Sequence, residues 1–206
     1  MKLKDKAKPA IPPMEAGVYM AVCVAVVDLG DQYSEKFKNT SRNVVFAFDI
    51  PSETVEIDGE QKPRQLSKRC TFSMSKKGNL SKMLNAWMNT NLNEKELGEI
   101  DLFTLIDRSC QIRVTVSEDG AHNNIEDVMA LPKGIPAPKS STPPITYDID
   151  EDGFQGDKWD TLPSWMREAI QKSEQYQQNP PDQPLDMPPV EIVQNTPDTK
   201  EGACPI

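Results

Sequence analysis

Apolar residues in the first two thirds of the chain follow mostly a two-residue period, which is typical of β-strands. The first run, 17–27, is apolar on both faces and predicts a long buried strand. Two alternating runs, 43–50 and 64–75, predict a second and a third strand joined through an Asp-Gly turn. We interpret 32–42 as a polar loop that joins the first two strands.

After the third strand the period changes to that of a helix. Asn79 can cap a helix whose apolar face is formed by Leu80, Met83, Leu84 and Trp87. A shorter helical piece over 93–106 follows, and alternating runs at 109–116 and 123–132 predict two further strands. Since they lie on apolar faces, we expect the rings of Phe46, Phe48 and Phe72 to be in the core.

The order of these elements, three strands, a helix and two strands, predicts a fold class. It is an all-β fold with a helical insertion, arranged as the five-stranded Greek-key barrel of the oligonucleotide/oligosaccharide-binding (OB) fold. In that fold the helix between strands three and four plugs one end of the barrel. A β-sandwich is the competing arrangement, but sandwiches usually need about seven strands.

The composition changes near Gly134. The 72 residues after it hold 12 of the 18 prolines and carry a net charge of −8, whereas 1–134 carries a net charge of −1. We therefore expect a flexible basic leader (1–16), a folded domain (17–134) and a largely disordered, Pro-rich acidic tail (135–206). A short helix is predicted in the tail near 163–176.

Several classes of protein are disfavoured by composition. No apolar run approaches the ~20 residues of a membrane helix, and the start lacks the apolar stretch of a secretory signal, so a cytoplasmic location is expected. The four cysteines lack zinc-site spacing, and His122 is the one histidine, so neither a metal nor a cofactor is expected. Without a Gly-rich phosphate loop or a nucleophile signature, we do not expect an enzyme.

The predicted 32–42 loop combines aromatic and basic side chains. Binding a single nucleic-acid strand requires cations along the phosphates and rings that stack on bases. Candidate residues in this loop are Tyr33, Lys36, Phe37, Lys38 and Arg42. The alternative is that the two rings pack onto the barrel itself.

The third strand offers a second candidate surface. Arg69 shares one face of the strand with Thr71 and Ser73. Further cations could extend it into a track for phosphates: Arg64, Lys68, Lys76 and Lys77. The alternative is an ordinary solvated strand face. In the tail, Trp165 and Ile170 could form a small apolar face that binds a partner protein.

Five short segments carry a family resemblance: Gly17-Val18-Tyr19, 105–112, 124–128, 131–134 and Leu162-Pro163-Ser164-Trp165-Met166. Over about 17–176 the chain resembles phage-encoded single-stranded-DNA-binding proteins of the OB-fold kind. The resemblance implies a role in DNA replication or recombination, in the host cytoplasm. One departure is the end of the chain, since bacterial single-strand binders end in Pro-Phe and this sequence ends in Pro205-Ile206.

These patterns predict a protein that coats single-stranded DNA without sequence preference. The acidic tail would compete for the DNA-binding groove or recruit replication and recombination proteins, and the protein could form a homo-oligomer. The alternative is an OB-like adaptor or inhibitor that binds a protein and no nucleic acid. The near-zero charge of 1–134 favours that alternative.

Overall fold

The computed structural model describes residues 11–57 and 59–181. Three antiparallel strands open the fold, and each is longer or shifted relative to its prediction: β1 (Gly17–Ser34), β2 (Asn39–Ile57) and β3 (Glu60–Thr71). The prediction of a loop over 32–42 is wrong. There β1 and β2 stay paired as far as Ser34 and Asn39, because backbone pairing continues where side chains on both faces are polar.

Helical structure follows β3, as predicted. Helix α1 (Asn79–Met88) has Gly78, and not Asn79, at its N-cap. The predicted second piece is divided into α2 (Glu94–Gly98) and a short 3₁₀ helix (Leu102–Leu105). Asn93 and Glu96 form a capping box that fixes the start of α2.

Two more strands, β4 (Ser109–Val116) and β5 (Asn123–Met129), complete an antiparallel sheet in the order β3-β2-β1-β4-β5. The predicted strand-rich fold with a helical insertion is confirmed as a mainly antiparallel sheet with helices. The predicted barrel is not closed by strand pairing, since β3 and β5 share no backbone ladder among the described residues. Instead, the Lys68 ammonium crosses this seam and donates to the carbonyls of Ile125 (2.7 Å) and Glu126 (2.9 Å).

The inner face of the sheet packs on α1. The Trp87 ring lies 6.2 Å from that of Phe46 and 5.4 Å from that of Phe48, centroid to centroid, and its indole N–H donates to the Ser109 carbonyl. The four apolar positions predicted for the helix are all buried in this core. Phe72, in contrast, is 45% exposed and is not the core residue that its strand position predicts.

The outer face is covered by residues 140–178, which we call the outer layer. Its strand β6 (Ile145–Tyr147) pairs in parallel with β1. Four short helices follow: α3 (Ile149–Asp152), α4 (Asp157–Thr161), α5 (Ser164–Ile170) and α6 (Glu174–Gln178). The layer buries Val45 and Ala47 of β2 in a second apolar core.

This packing corrects the predicted domain organisation. The boundary after Gly134 does not separate a folded domain from a tail, because 140–178 supplies much of the second core. Gly30 of β1 illustrates how close the two parts lie. It has a φ of +71°, and a Cβ there would lie 2.7 Å from both Gln175 Oε1 and Ile149 Cδ1.

The start of the described chain is also tied to the sheet. The Met14 backbone exchanges two hydrogen bonds with the Asn123 side-chain amide, and the Met14 side chain is buried. The predicted flexible leader is therefore corrected for 11–16, while 1–10, and 182–206 of the predicted tail, lie outside the described residues. Within the described ranges, no helix has the length and apolarity to cross a membrane.

Candidate nucleic-acid interface

The tip of the β1–β2 hairpin presents two exposed aromatic rings. The turn at 35–38 is closed by the Lys38 amide, which donates to the Ser34 carbonyl at 2.8 Å, and Lys38 has a φ of 52°. Tyr33 is 57% exposed and Phe37 is 69% exposed. The Lys36 ammonium lies 5.4 Å from the centroid of the Phe37 ring. The alternative, in which these rings pack onto the sheet, is not what the structure contains.

Tyr33 and Phe37 line one open groove of about 410 Å³ together with Arg69 and Thr71 of β3. We call this the hairpin groove. Its remaining lining residues are neutral and polar: Gln32, Ser34, Asn39, Ser41 and Asn43. Among the described residues, Arg69 is the one charged group that lines it, while Lys36, Lys38 and Glu35 of the hairpin turn, and Glu174, which accepts from Thr40, lie nearby.

Strand register explains how β3 reaches the groove. Asn43 is paired with Thr71, and Val45 is paired with Arg69, so these side chains lie on the outer face of the sheet. Along β2 this outer row changes from polar Ser41 and Asn43 to apolar Val45 and Ala47. The change marks the point where the apolar core under the outer layer begins.

Arg69 is the cation best placed in the groove. Its side chain forms no ion pair or hydrogen bond with any part of the chain that the structure describes. Desolvation by neighbouring groups lowers the pKa of its guanidinium, but an arginine remains charged at any physiological pH. Arg69 therefore presents an unused positive charge beside two exposed rings.

Arg42, predicted to contact DNA, is occupied inside the protein. Its guanidinium hydrogen-bonds to the carboxylate of Asp28 and, at 2.7 Å, to that of Asp150, with Asp148 at 3.9 Å. The hydrogen bond to Asp28 is the main cause that raises the pKa of Arg42 above its ordinary value. Three carboxylates thus stand where phosphates were predicted, and Arg42 serves to join β1 and β2 to the outer layer.

Arg64 and Lys68 are also used internally. Arg64 donates to the Pro12 carbonyl at 2.6 Å and to the Asn123 side chain at 3.2 Å. Lys68 bridges β3 and β5 as described above. Both side chains join the two edge strands where the backbones do not pair, and neither lines the hairpin groove.

The other predicted lysines are exposed but lie in two places. Lys36 and Lys38 belong to the hairpin turn. Lys76 and Lys77 follow β3, and Lys76 lines a different cavity beside α1 and α2. The structure therefore brings Tyr33, Phe37 and Arg69 together, with the two turn lysines nearby on the same hairpin, and separates Lys76 and Lys77 from them.

The two residues predicted to bind a partner differ in exposure. Trp165 is 45% exposed on α5. Ile170 is fully buried against the outer face of the sheet, because it faces inward at the end of the same helix. Ile170 is thus a core residue of the outer layer and not a surface contact.

Two groups of residues near the site escaped sequence reasoning. The polar groove residues Asn39, Ser41 and Asn43 carry no distinctive sequence signal, and only the pairing with β3 reveals their position. Phe72 was assigned to the core by alternation. Its amide donates to the Arg42 carbonyl at 2.7 Å just past the end of β3, where its ring lines a separate cavity of about 300 Å³ with Leu102.

No protein-family model matches the sequence, and no curated protein or solved structure matches it either.

Proposed function

We propose that this protein binds single-stranded DNA without sequence preference, through the hairpin groove. The observation that carries the proposal is the meeting of two exposed rings, Tyr33 and Phe37, with Arg69, whose charge has no partner among the described residues. Stacking on aromatic rings combined with cations along the backbone is how proteins hold single strands of any sequence.

The arrangement of the sheet supports an OB-type interpretation of the fold. Its strand order, β3-β2-β1-β4-β5, with α1 between β3 and β4, is compatible with a partly open Greek-key barrel. In such folds the β2–β3 face and the loop between the first two strands contribute to binding. On this interpretation the protein belongs with phage single-strand binders that act in replication or recombination, in the host cytoplasm.

One observation favours a different function, the adaptor that binds a protein. Arg42, Arg64 and Lys68 are occupied by internal contacts, which leaves the groove with few cations. Exposed Trp165 on α5 would suit a protein partner better than a phosphate backbone. The two functions differ in their dependence on salt, because counterion release accompanies only the binding of the polyanion.

The test compares affinity and stability in the full chain. Tyr33→Ala and Phe37→Ala should each weaken binding of a labelled oligo-dT by about 1–3 kcal/mol, the value of one base stacked on one ring. Since both rings are exposed, the melting temperature should remain almost unchanged. Trp165→Ala is the matched control, an exposed ring outside the groove, and should leave the affinity unaltered.

Two results would count against DNA binding in the groove. One is wild-type protein that shows no salt-dependent binding of oligo-dT. The other is unchanged affinity in both ring variants, which would move the site elsewhere and strengthen the adaptor alternative.

A further inference from the structure

A second charged surface lies on the helical side of the fold, away from the hairpin groove. Lys76 after β3, Lys82 of α1 and Lys95 of α2 line an open cavity of about 750 Å³, which we call the basin. All three lysines are exposed. None of them forms an ion pair with another residue in 11–57 or 59–181.

The other polar groups of the basin hold the α1–α2 connection together. Glu94 accepts a hydrogen bond from the Lys76 backbone amide at 2.9 Å. Asn85 accepts from the Leu92 amide at 2.7 Å, and Asn93 caps α2. The three ammonium groups, opposed in the basin by one carboxylate, are therefore the groups left to meet a ligand, and they suit an extended anion such as a phosphate backbone.

The basin and the hairpin groove are adjacent along the chain. Thr71 lines the groove and Lys76, five positions further along the chain, lines the basin, so their Cα atoms lie at most about 18 Å apart. The segment between them is compact, since the Gly78 amide donates to the Ser75 carbonyl at 2.7 Å. Phe72, with its exposed ring, lies in this segment.

We propose that the basin is a second phosphate-binding surface of the same interface. A single strand held in the hairpin groove continues past Phe72 and crosses Lys76, Lys82 and Lys95. This inference rests on the proposed function, and it extends the binding footprint to residues that no sequence motif indicated, Lys82 and Lys95. With this second surface, the affinity for single-stranded DNA should depend on strand length, because only a longer strand reaches the basin.

The experiment measures the affinity of the full chain for a short oligo-dT of about 6 nucleotides, near the lower end of the footprint of one OB-type fold, and for a long one of about 20, beyond its upper end. The variant is Lys82→Ala with Lys95→Ala. Each phosphate of a single strand that the protein no longer neutralises lowers the salt slope by about 0.7, or about fivefold in affinity at ~0.1 M salt relative to 1 M. We expect an approximately 25-fold loss for the long strand and no change for the short one.

A control variant separates this effect from a general loss of charge. Lys62→Ala with Lys133→Ala removes the same charge from exposed positions outside the basin and should change neither affinity. Lys82→Gln with Lys95→Gln is a second basin variant, made in case the first alters folding, and melting curves verify both.

Failure of this inference differs from failure of the proposed function. If wild-type protein binds the long strand and the basin variants match the control at both lengths, the second surface is excluded while DNA binding stands. An equal loss at both lengths would also overturn the arrangement, because basin and groove would then share one short footprint. If wild type binds neither strand, the proposed function itself fails, and this inference with it.

Discussion

The inner and outer faces of the sheet are covered by segments of very different sequence. On the inner face, α1 brings four apolar side chains at regular helical spacing. On the outer face, β6 and four short helices bring scattered apolar residues separated by prolines, glycines and acids. Along β2 the apolar core under the outer layer extends only to Val45, and nearer the hairpin tip the layer makes polar contacts, from Ala169 to Gln32 and from Glu174 to Thr40. The candidate interface is therefore the part of the outer face near the hairpin, where no apolar core covers the sheet, and not the whole face.

Removal of the outer layer should have the largest effect on stability. A chain that ends at Gly134 exposes Val24, Val27, Leu29 and Val45, and burying each such side chain stabilises the fold by about 1.5–3 kcal/mol. Since the whole fold of a typical domain is stable by ~5–15 kcal/mol, we expect the shortened chain to unfold or aggregate. Circular dichroism and size-exclusion chromatography measure this.

The matched control is a chain that ends at Pro181, which keeps the outer layer and should remain folded. A monomeric, folded 1–134 with a cooperative melt would show that the layer is dispensable and that Gly134 is the true domain boundary.

A smaller change loosens the contact of the layer with β2. The buried Asp49 carboxylate accepts hydrogen bonds from Ser140, from Thr142 and, at 3.1 Å, from Gln65. Asp49→Ala should lower the free energy of unfolding by about 1.5–3 kcal/mol, the cost of losing a hydrogen bond to a charged group. Urea denaturation measures this loss. Oligo-dT affinity should be unaffected, and a large change in it would show that the covered region takes part in binding.

Burial raises pKa values of ionisable side chains on both faces of the sheet. Burial raises the pKa of the Cys23 thiol to about 12 and raises that of Cys110, both on the inner face, and burial raises the pKa of Tyr147 under the outer layer. An unfolded chain releases the thiol protons near pH 8.5, whereas the folded chain retains them. Stability is therefore complete below about pH 8.5 and falls as the pH rises towards 12, by up to about 1.4 kcal/mol per pH unit for each thiol.

Denaturation at about pH 7, 9 and 10 measures this decline. Cys23→Ala with Cys110→Ala should make the decline shallower, and the part that remains comes from Cys70, whose thiol pKa burial also raises, while Tyr147 would begin to contribute only above about pH 10. A wild-type stability that is independent of pH up to 10 would contradict the burial of the two thiols.

Sequence and structure agree best where each element buries one regular face. The strand over 109–116 and the helix from Asn79 are found as predicted, since alternation and helical spacing each specify a single buried side. The hairpin tip was missed because both of its faces are polar. The outer layer was missed because Leu162, Met166 and Ile170 form a core only once they are packed against β1.

A clue to the layer was nevertheless present in the sequence. The run at 17–27 is apolar on both faces, which requires a cover on each side, and α1 can supply only one. In the candidate site, Tyr33, Phe37 and Arg69 could be predicted from residue type. The internal pairing of Arg42, Arg64 and Lys68 could not, because it depends on carboxylates and carbonyls distant in the sequence.

The smallest expected effects are those of replacing Arg69 or Arg42, and they should differ in kind. Arg69→Ala should weaken oligo-dT binding by about fivefold at ~0.1 M salt and reduce the salt slope by ~0.7, with little loss of stability. Arg42→Ala should lower the stability, because it leaves the Asp28 carboxylate without its partner. It should leave the affinity for oligo-dT almost unchanged. Fluorescence anisotropy over a salt series, together with thermal melts, measures both. The opposite assignment would place the groove on the side of Arg42.

Ultraviolet cross-linking of oligo-dT to the full chain, followed by mass spectrometry of the linked peptides, shows where on the protein a bound strand lies. If a strand lies in the hairpin groove, cross-links should concentrate on Tyr33 and Phe37 and disappear in excess salt. Cross-links confined to the outer layer, or none at concentrations where DNA is bound, would contradict the claim that the hairpin groove holds single-stranded DNA.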